Sequence, residues 1–138
     1  MAKKQKDWTS GRTCVYNIGY HIVWTTKYRR KVITGNIEET LKGFFEAIAQ
    51  TNDFEIKEME LMDDHCHLFI SCHPKHSPSS MVKKLKGITA RKLFTQYPEL
   101  KKTLWGGHLW NPSYYIGTVG DMSKDVVLRY IQNQKAEA

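Results

Sequence analysis

His65-Cys66-His67 are the first side chains in this sequence whose types and spacing could do chemistry. On an extended strand, residues two apart point the same way. The imidazoles of His65 and His67 therefore share one face, while Cys66, Leu68 and Ile70 turn toward the other. Two imidazoles held side by side on a rigid strand make a bidentate platform for a divalent metal. Alone, His-x-His is more often a strand-end histidine beside a surface one, because short motifs match by chance. A second pair of residues raises its weight. Tyr130 and Gln134 are four apart, so a helix over residues 123–134 puts them on one face. A phenol can attack a phosphodiester and form a covalent intermediate if something eases its ionisation and screens the phosphate. A divalent ion on His65, His67 and the carbonyl of Gln134 would polarise the non-bridging oxygens and orient the scissile bond. The phosphotyrosine conserves bond energy, so the strand can be rejoined elsewhere without ATP.

These residues need elements to position them. Residues 14–25 alternate, with Tyr16, Ile18, Tyr20, Ile22 and Trp24 on one side and Asn17, Gly19, His21 and Thr25 on the other. That period of two predicts a strand with one core face. A turn at residues 34–36 leads into an amphipathic helix carrying Ile37, Leu41, Phe44, Phe45 and Ile48. Strands are predicted over residues 54–61 and 65–72, joined by a turn at Asp63-Asp64. A helix over about residues 80–97, capped by Ser79 or Ser80, turns Met81, Val82, Leu85, Ile88 and Phe94 to the core. A fourth strand over residues 113–119 precedes a last helix opened by Ser123. The order β-α-β-β-α-β-α predicts an α+β fold of ferredoxin-like or RRM-like type, an antiparallel sheet with helices on one face. A C-terminal catalytic helix over residues 121–135 is added to it. Residues 1–12 read as a loose arm, and the 138 residues as one domain.

Composition is that of a soluble globular protein, 41% hydrophobic and 25% charged. No apolar run approaches the roughly 20 residues that span a membrane, and the basic start lacks the apolar stretch of a secretory signal. Three cysteines without a scaffold pattern point to reduced thiols and a cytoplasmic setting. The excess of 21 Lys+Arg over 14 Asp+Glu, a net +7, favours polyanionic partners. The candidate phosphate contacts are Lys27, Arg29 and Arg30 around Tyr28, and Lys83, Lys84, Lys86, Arg91 and Lys92 on the second helix. Trp105, Trp110 and Tyr28 could stack on unpaired bases, although core packing claims most tryptophans.

Neighbouring residues offer rival roles. Tyr114 and Tyr115 are alternative nucleophiles, but alternation sends them to opposite faces, so at most one faces the histidines. His21 either joins the face of the histidine pair or is an ordinary sheet-surface histidine. Cys66, Cys72, His73 and His76 fit none of the usual structural-zinc spacings. The imidazole pair would take zinc or copper in a test tube, while oxygen ligands and availability decide for Mg²⁺ or Mn²⁺ in a cell. Gly117 and Gly120 would let the last helix swing or cross to a partner subunit.

At these positions the sequence resembles a known family. His65-Cys66-His67 followed by Leu68-Phe69-Ile70 is similar to the HUH (His–hydrophobic–His) motif of the single-tyrosine transposases of the smallest insertion sequences, the superfamily of IS200-like and REP-associated tyrosine transposases. Residues 20–31 resemble that family's first strand and following turn, and residues 82–87 its basic second helix. Residues 110–120 resemble the stretch before the catalytic helix, and residues 130–134 the helix itself. The matches run in order over about residues 13–135. The resemblance implies Tyr130 as nucleophile, leaving a 5′-phosphotyrosine and a free 3′-hydroxyl. It implies Mg²⁺ or Mn²⁺ on His65, His67 and Gln134, single-stranded DNA with end hairpins as substrate, and a homodimer whose active sites are shared between subunits. Cys66 departs from the bulkier aliphatic residue usual there, yet keeps a core-facing role. Two other readings stay open. One is a non-catalytic single-stranded nucleic-acid-binding module of RRM-like fold, though an RNP-type signature is missing. The other is a host-domesticated nuclease of repeat hairpins; the short tail after the last helix favours the mobile-element form.

Overall fold

The alternation of apolar and polar residues around Tyr20-His21-Ile22 becomes the centre of a four-stranded sheet in the computed structural model, which describes residues 9–10, 15–16, 19–104 and 107–119. In chain order the elements are β1 (Thr9–Ser10), β2 (Val15–Tyr16), β3 (Gly19–Thr25), α1 (Asn36–Thr51), β4 (Phe54–Leu61), β5 (His65–Cys72), α2 (Pro78–Gln96), α3 (Leu100–Thr103) and β6 (Tyr115–Val119). The sheet order is β4-β5-β3-β6, every neighbouring pair antiparallel. Two β-α-β units interleaved in this way give the ferredoxin-like arrangement, so the expected α+β class stands. The predicted catalytic helix over residues 121–135 lies outside the described residues.

One face of the sheet and two helices share the core. Ile22, Trp24, Cys66, Leu68 and Ile70 pack with Leu41 and Phe45 of α1 and Met81, Val82 and Leu85 of α2. Trp24 meets Phe45 and Trp110 edge to face at 5.8 and 5.7 Å. Trp110 is buried, and its indole N–H donates to Thr89 Oγ1 at 3.0 Å. It is therefore a core residue with a satisfied donor, not a platform for bases. α1 starts after Gly35, whose φ of +55° suits glycine, and Glu38 and Glu39 favour the positive end of its dipole.

The structure departs from the sequence reading at element ends. α2 begins at Pro78, with Ser77 Oγ accepting from the Ser80 N–H, rather than at residue 80 with Ser79 or Ser80 as cap. Proline has no amide hydrogen to leave unpaired in a first turn, so it extends the helix backward. Thr89 and Leu93 take core positions, while Ile88 and Phe94 are partly buried. β6 starts at Tyr115 instead of residue 113, because Asn111 Oδ1 accepts from both the Ser113 N–H and hydroxyl, closing a side-chain turn. Within the expected loose arm, Thr9–Ser10 pairs with Val15–Tyr16, and the rest of residues 1–12 lies outside the described residues. No helix among the described residues is long and apolar enough to cross a membrane.

Candidate functional site

β5 delivers the two histidines as alternation requires. Cys66, Leu68 and Ile70 are buried toward the helices, while His65 and His67 project from the second face with ring centroids 5.1 Å apart. The Cys66 thiol is fully buried, and that burial pushes its pKa far above the ordinary value, so it is inert as a nucleophile.

Each imidazole is held through Nδ1. Asp64 Oδ1 lies 2.6 Å from His65 Nδ1, and His21 Nε2 lies 3.0 Å from His67 Nδ1. Among the described residues neither Nε2 has a hydrogen-bond partner, which leaves both able to act as donors to a cation. A histidine that binds a metal characteristically hands its other ring nitrogen to a carboxylate or similar acceptor. The two histidines thus fit a divalent ion, and Gln134, the expected third ligand, lies outside the described residues along with Tyr130. Among the described residues no cluster of three or more His, Cys, Asp or Glu side chains is placed to hold a metal. His73 and His76 turn elsewhere, to the Lys75 N–H and the Asp53 carbonyl.

Asp64 is the hub of the site's edge. Its Oδ2 accepts from Arg29 Nε at 3.2 Å, and its backbone carbonyl accepts from the Thr26 N–H at 2.9 Å. Burial alone would raise its pKa, but the His65 hydrogen bond and the Arg29 charge outweigh it and hold the carboxyl below its usual value. Asp64 is therefore an anion able only to accept, which places the shared proton on His65. The Lys27–Arg29 turn beside it holds Tyr28 and Arg29 at φ of 57° and 52°. Two consecutive left-handed residues other than glycine are costly. The Thr26 hydroxyl, donating to the Arg30 carbonyl at 2.7 Å, and the Arg29–Asp64 ion pair oppose that strain.

The basic residues divide into two groups. Lys27, Tyr28, Arg29 and Arg30 follow the end of β3, where Thr25 pairs with His65; Arg29 reaches the site through Asp64, and Tyr28 is 57% exposed. Lys83, Lys84, Arg91 and Lys92 are exposed on α2, in the layer across the sheet from His65 and His67. Lys86 is engaged within the fold. Its half-buried ammonium donates to the carbonyls of Asn111 at 2.5 Å and Ser113 at 3.2 Å, tying the approach to β6 onto α2.

His21 joins the histidine face, the more specific of its two expected roles. It is buried opposite Phe69 in the β3–β5 register, with the two rings stacked at 4.5 Å and 6°. Tyr115 approaches the same ring edge-on at 5.8 Å, so of the two rival tyrosines it is the one on this side. Gly117 lies within β6 opposite His21, where a Cβ would come 2.6 Å from the Tyr115 hydroxyl. Its lack of a side chain gives that phenol room; Gly120 and the last helix lie outside the described residues.

Burial, then the nearby charge of His67, lowers the pKa of His21 from 6.5 to about 4. The unfolded chain takes up this proton below 6.5 and the folded chain only near 4, so folding stability falls as pH drops through that window. In EDTA, the melting temperature of the wild type should decline more steeply between pH 7 and 5 than that of His21→Phe. Parallel declines would assign the slope to other groups.

Fold and site together define a ferredoxin-like domain with two histidines displayed on one sheet face beside a basic turn. The family model described as "Transposase IS200 like" matches residues 14–134. The ISDra2 transposase TnpA of Deinococcus radiodurans is 44% identical over 124 residues, covering 90% of this chain and 89% of that protein. The transposase for insertion sequence element IS200 of Salmonella typhimurium is 31% identical over 122 residues, with 88% and 80% covered. This chain belongs to the IS200-like transposase family. A Deinococcus radiodurans crystal structure described as a transposase superposes with TM-score 0.76 at 40% identity, covering 91% of this chain and 97% of that one. A REP-associated tyrosine transposase bound to a REP hairpin shares the fold at TM-score 0.58 and 17% identity, with 99% and 74% covered.

Proposed function

We propose that the protein cleaves and rejoins single-stranded DNA at the ends of an insertion sequence, through a 5′-phosphotyrosine on Tyr130. The observation that carries this reading is the arrangement of His65 and His67, both engaged at Nδ1 and both with Nε2 directed away from that contact. The spacing of Tyr130 and Gln134, four residues apart in a chain of the IS200-like transposase family, supports it. His65, His67 and the Gln134 side-chain carbonyl would hold Mg²⁺ or Mn²⁺. When bound, such an ion supplies positive charge at the non-bridging phosphate oxygens. Tyr130 Oη forms a bond to phosphorus as the P–O3′ bond breaks. The phenolic proton ends on the departing 3′-hydroxyl. In the reverse sense a different 3′-hydroxyl attacks the phosphotyrosine, releasing Tyr130 and joining a new strand.

The chain's own residues supply the setting. Asp64 and His21 orient the two imidazoles. Lys27, Arg29 and Arg30, in the turn beside Asp64, would contact phosphates next to the site, and Lys83, Lys84, Arg91 and Lys92 on α2 would contact phosphates elsewhere on the DNA. We propose DNA carrying an end hairpin as the substrate, a form in which a structural neighbour of the same fold is bound. We also propose a homodimer in which Tyr130 of one subunit serves the histidines of the other.

A labelled single-stranded oligonucleotide with a candidate end hairpin, incubated with Mg²⁺ or Mn²⁺, should give a protein–DNA adduct that survives a denaturing gel. EDTA should abolish it. Binding without an adduct, on several hairpins and with both ions, would replace this reading with that of a non-catalytic binding module.

A further inference from the structure

We infer that His21 is a positioning residue for His67: its Nε2 accepts the His67 Nδ1–H and so fixes the tautomer whose Nε2 lone pair can bind a divalent cation. This rests on the reading of His67 as a metal ligand. The contact is 3.0 Å, and the two ring planes are 15° from parallel with centroids 5.3 Å apart. His21 has little freedom to turn. It is 1% exposed, stacked on Phe69 and met edge-on by Tyr115.

A hydrogen bond between two neutral imidazoles has two arrangements. If His21 Nε2 carries the proton, His67 Nδ1 accepts, the His67 proton sits on Nε2, and no lone pair remains there for a cation. If His67 Nδ1 carries the proton, His21 Nε2 accepts and His67 Nε2 is a free donor atom. Only the second suits a metal site. It also repeats the geometry next door, where the Asp64 carboxylate can only accept and so sets His65 in the Nδ1–H tautomer. Two acceptors of different chemistry, a carboxylate from the turn and an imidazole from a neighbouring strand, thus impose one tautomer on both histidines. The strand register places His21 for this, since Val23 is opposite His67 and His21 opposite Phe69, one same-face step along.

The test has two readouts on the full chain. Long-range ¹H–¹⁵N NMR in EDTA reports the His67 tautomer without any metal, and electron paramagnetic resonance titration reports Mn²⁺ affinity. Wild type should show His67 protonated at Nδ1. His21→Phe keeps the stack but removes the acceptor, so His67 should lose that single tautomer and the Mn²⁺ dissociation constant should rise about tenfold or more. His21→Gln, whose amide oxygen can accept, should recover both. An Nε2–H tautomer of His67 in wild type would overturn the inference even if Mn²⁺ binds at His65 and His67. So would an unchanged tautomer and Mn²⁺ affinity in His21→Phe. If that variant does not fold, the wild-type tautomer and His21→Gln still decide. Separately, Mn²⁺ binding unaffected by His65→Ala and His67→Ala would overturn the metal reading itself, and with it the role assigned to His21.

Discussion

Tyr130→Phe should lose the covalent DNA adduct and strand transfer together, by about 10⁴-fold or more, as expected when a nucleophile is removed from a covalent mechanism. The substitution deletes one oxygen and leaves the ring, so hairpin affinity should stay within about twofold, being set by phosphate contacts elsewhere. This separation of binding from chemistry distinguishes a nucleophile from a packing tyrosine, whose loss would lower both through instability. Tyr115→Phe is the informative comparison, because Tyr115 is 52% exposed and borders His21 on the histidine face. It should keep the adduct. An adduct that survived Tyr130→Phe and vanished in Tyr115→Phe would move the nucleophile to β6.

The strands were legible because each has one dry face. Ile22 and Trp24 on β3, and Cys66, Leu68 and Ile70 on β5, alternate with residues of the other face, and a one-residue slip would expose them all. Helix ends were less legible, since Pro78 and Ser77 look alike in a loop and in a first turn. The Asn111 side-chain turn that delays β6 depends on where one amide points, which periodicity does not report.

The candidate site divides the same way. The shared face of His65 and His67 follows from alternation within one strand. The contact between His21 and His67 spans 46 residues and depends on the register of β3 on β5, set by the whole core. Alternation put His21 on the more polar side of β3 and left open whether that side joins the histidine pair and what it would touch. Asp64 was visible as a turn residue; that its carboxylate faces both His65 and Arg29 comes from the tight turn around Tyr28. Lys86 looks like any other lysine of a basic helix face until the 111–113 segment folds over it. Trp110 gave no signal separating stacking from core, and its burial against Trp24 decides for core.

His65→Ala and Tyr130→Phe should each be inactive alone, yet a mixture of the two should regain strand cleavage. His65→Ala removes one of the two imidazoles on β5; losing several kcal/mol of charge stabilisation at the phosphate slows cleavage by about 10³-fold or more. If each site combines the histidines of one subunit with Tyr130 of its partner, a mixed dimer has one site lacking both groups and one site intact. With equal amounts and free exchange, half of the dimers are mixed, so activity should recover to about a quarter of wild type in a closed two-fold assembly. Sites built within one subunit give a different result, because every subunit in the mixture then lacks either His65 or Tyr130 and activity stays at the single-variant level. The outcome therefore reports where Tyr130 works without needing its position. Recovery would also require that the His65→Ala subunit still folds and dimerises. The structure supports its folding: His65 lies at the end of β5 on the face away from the helices, outside the core built from Cys66, Leu68 and Ile70.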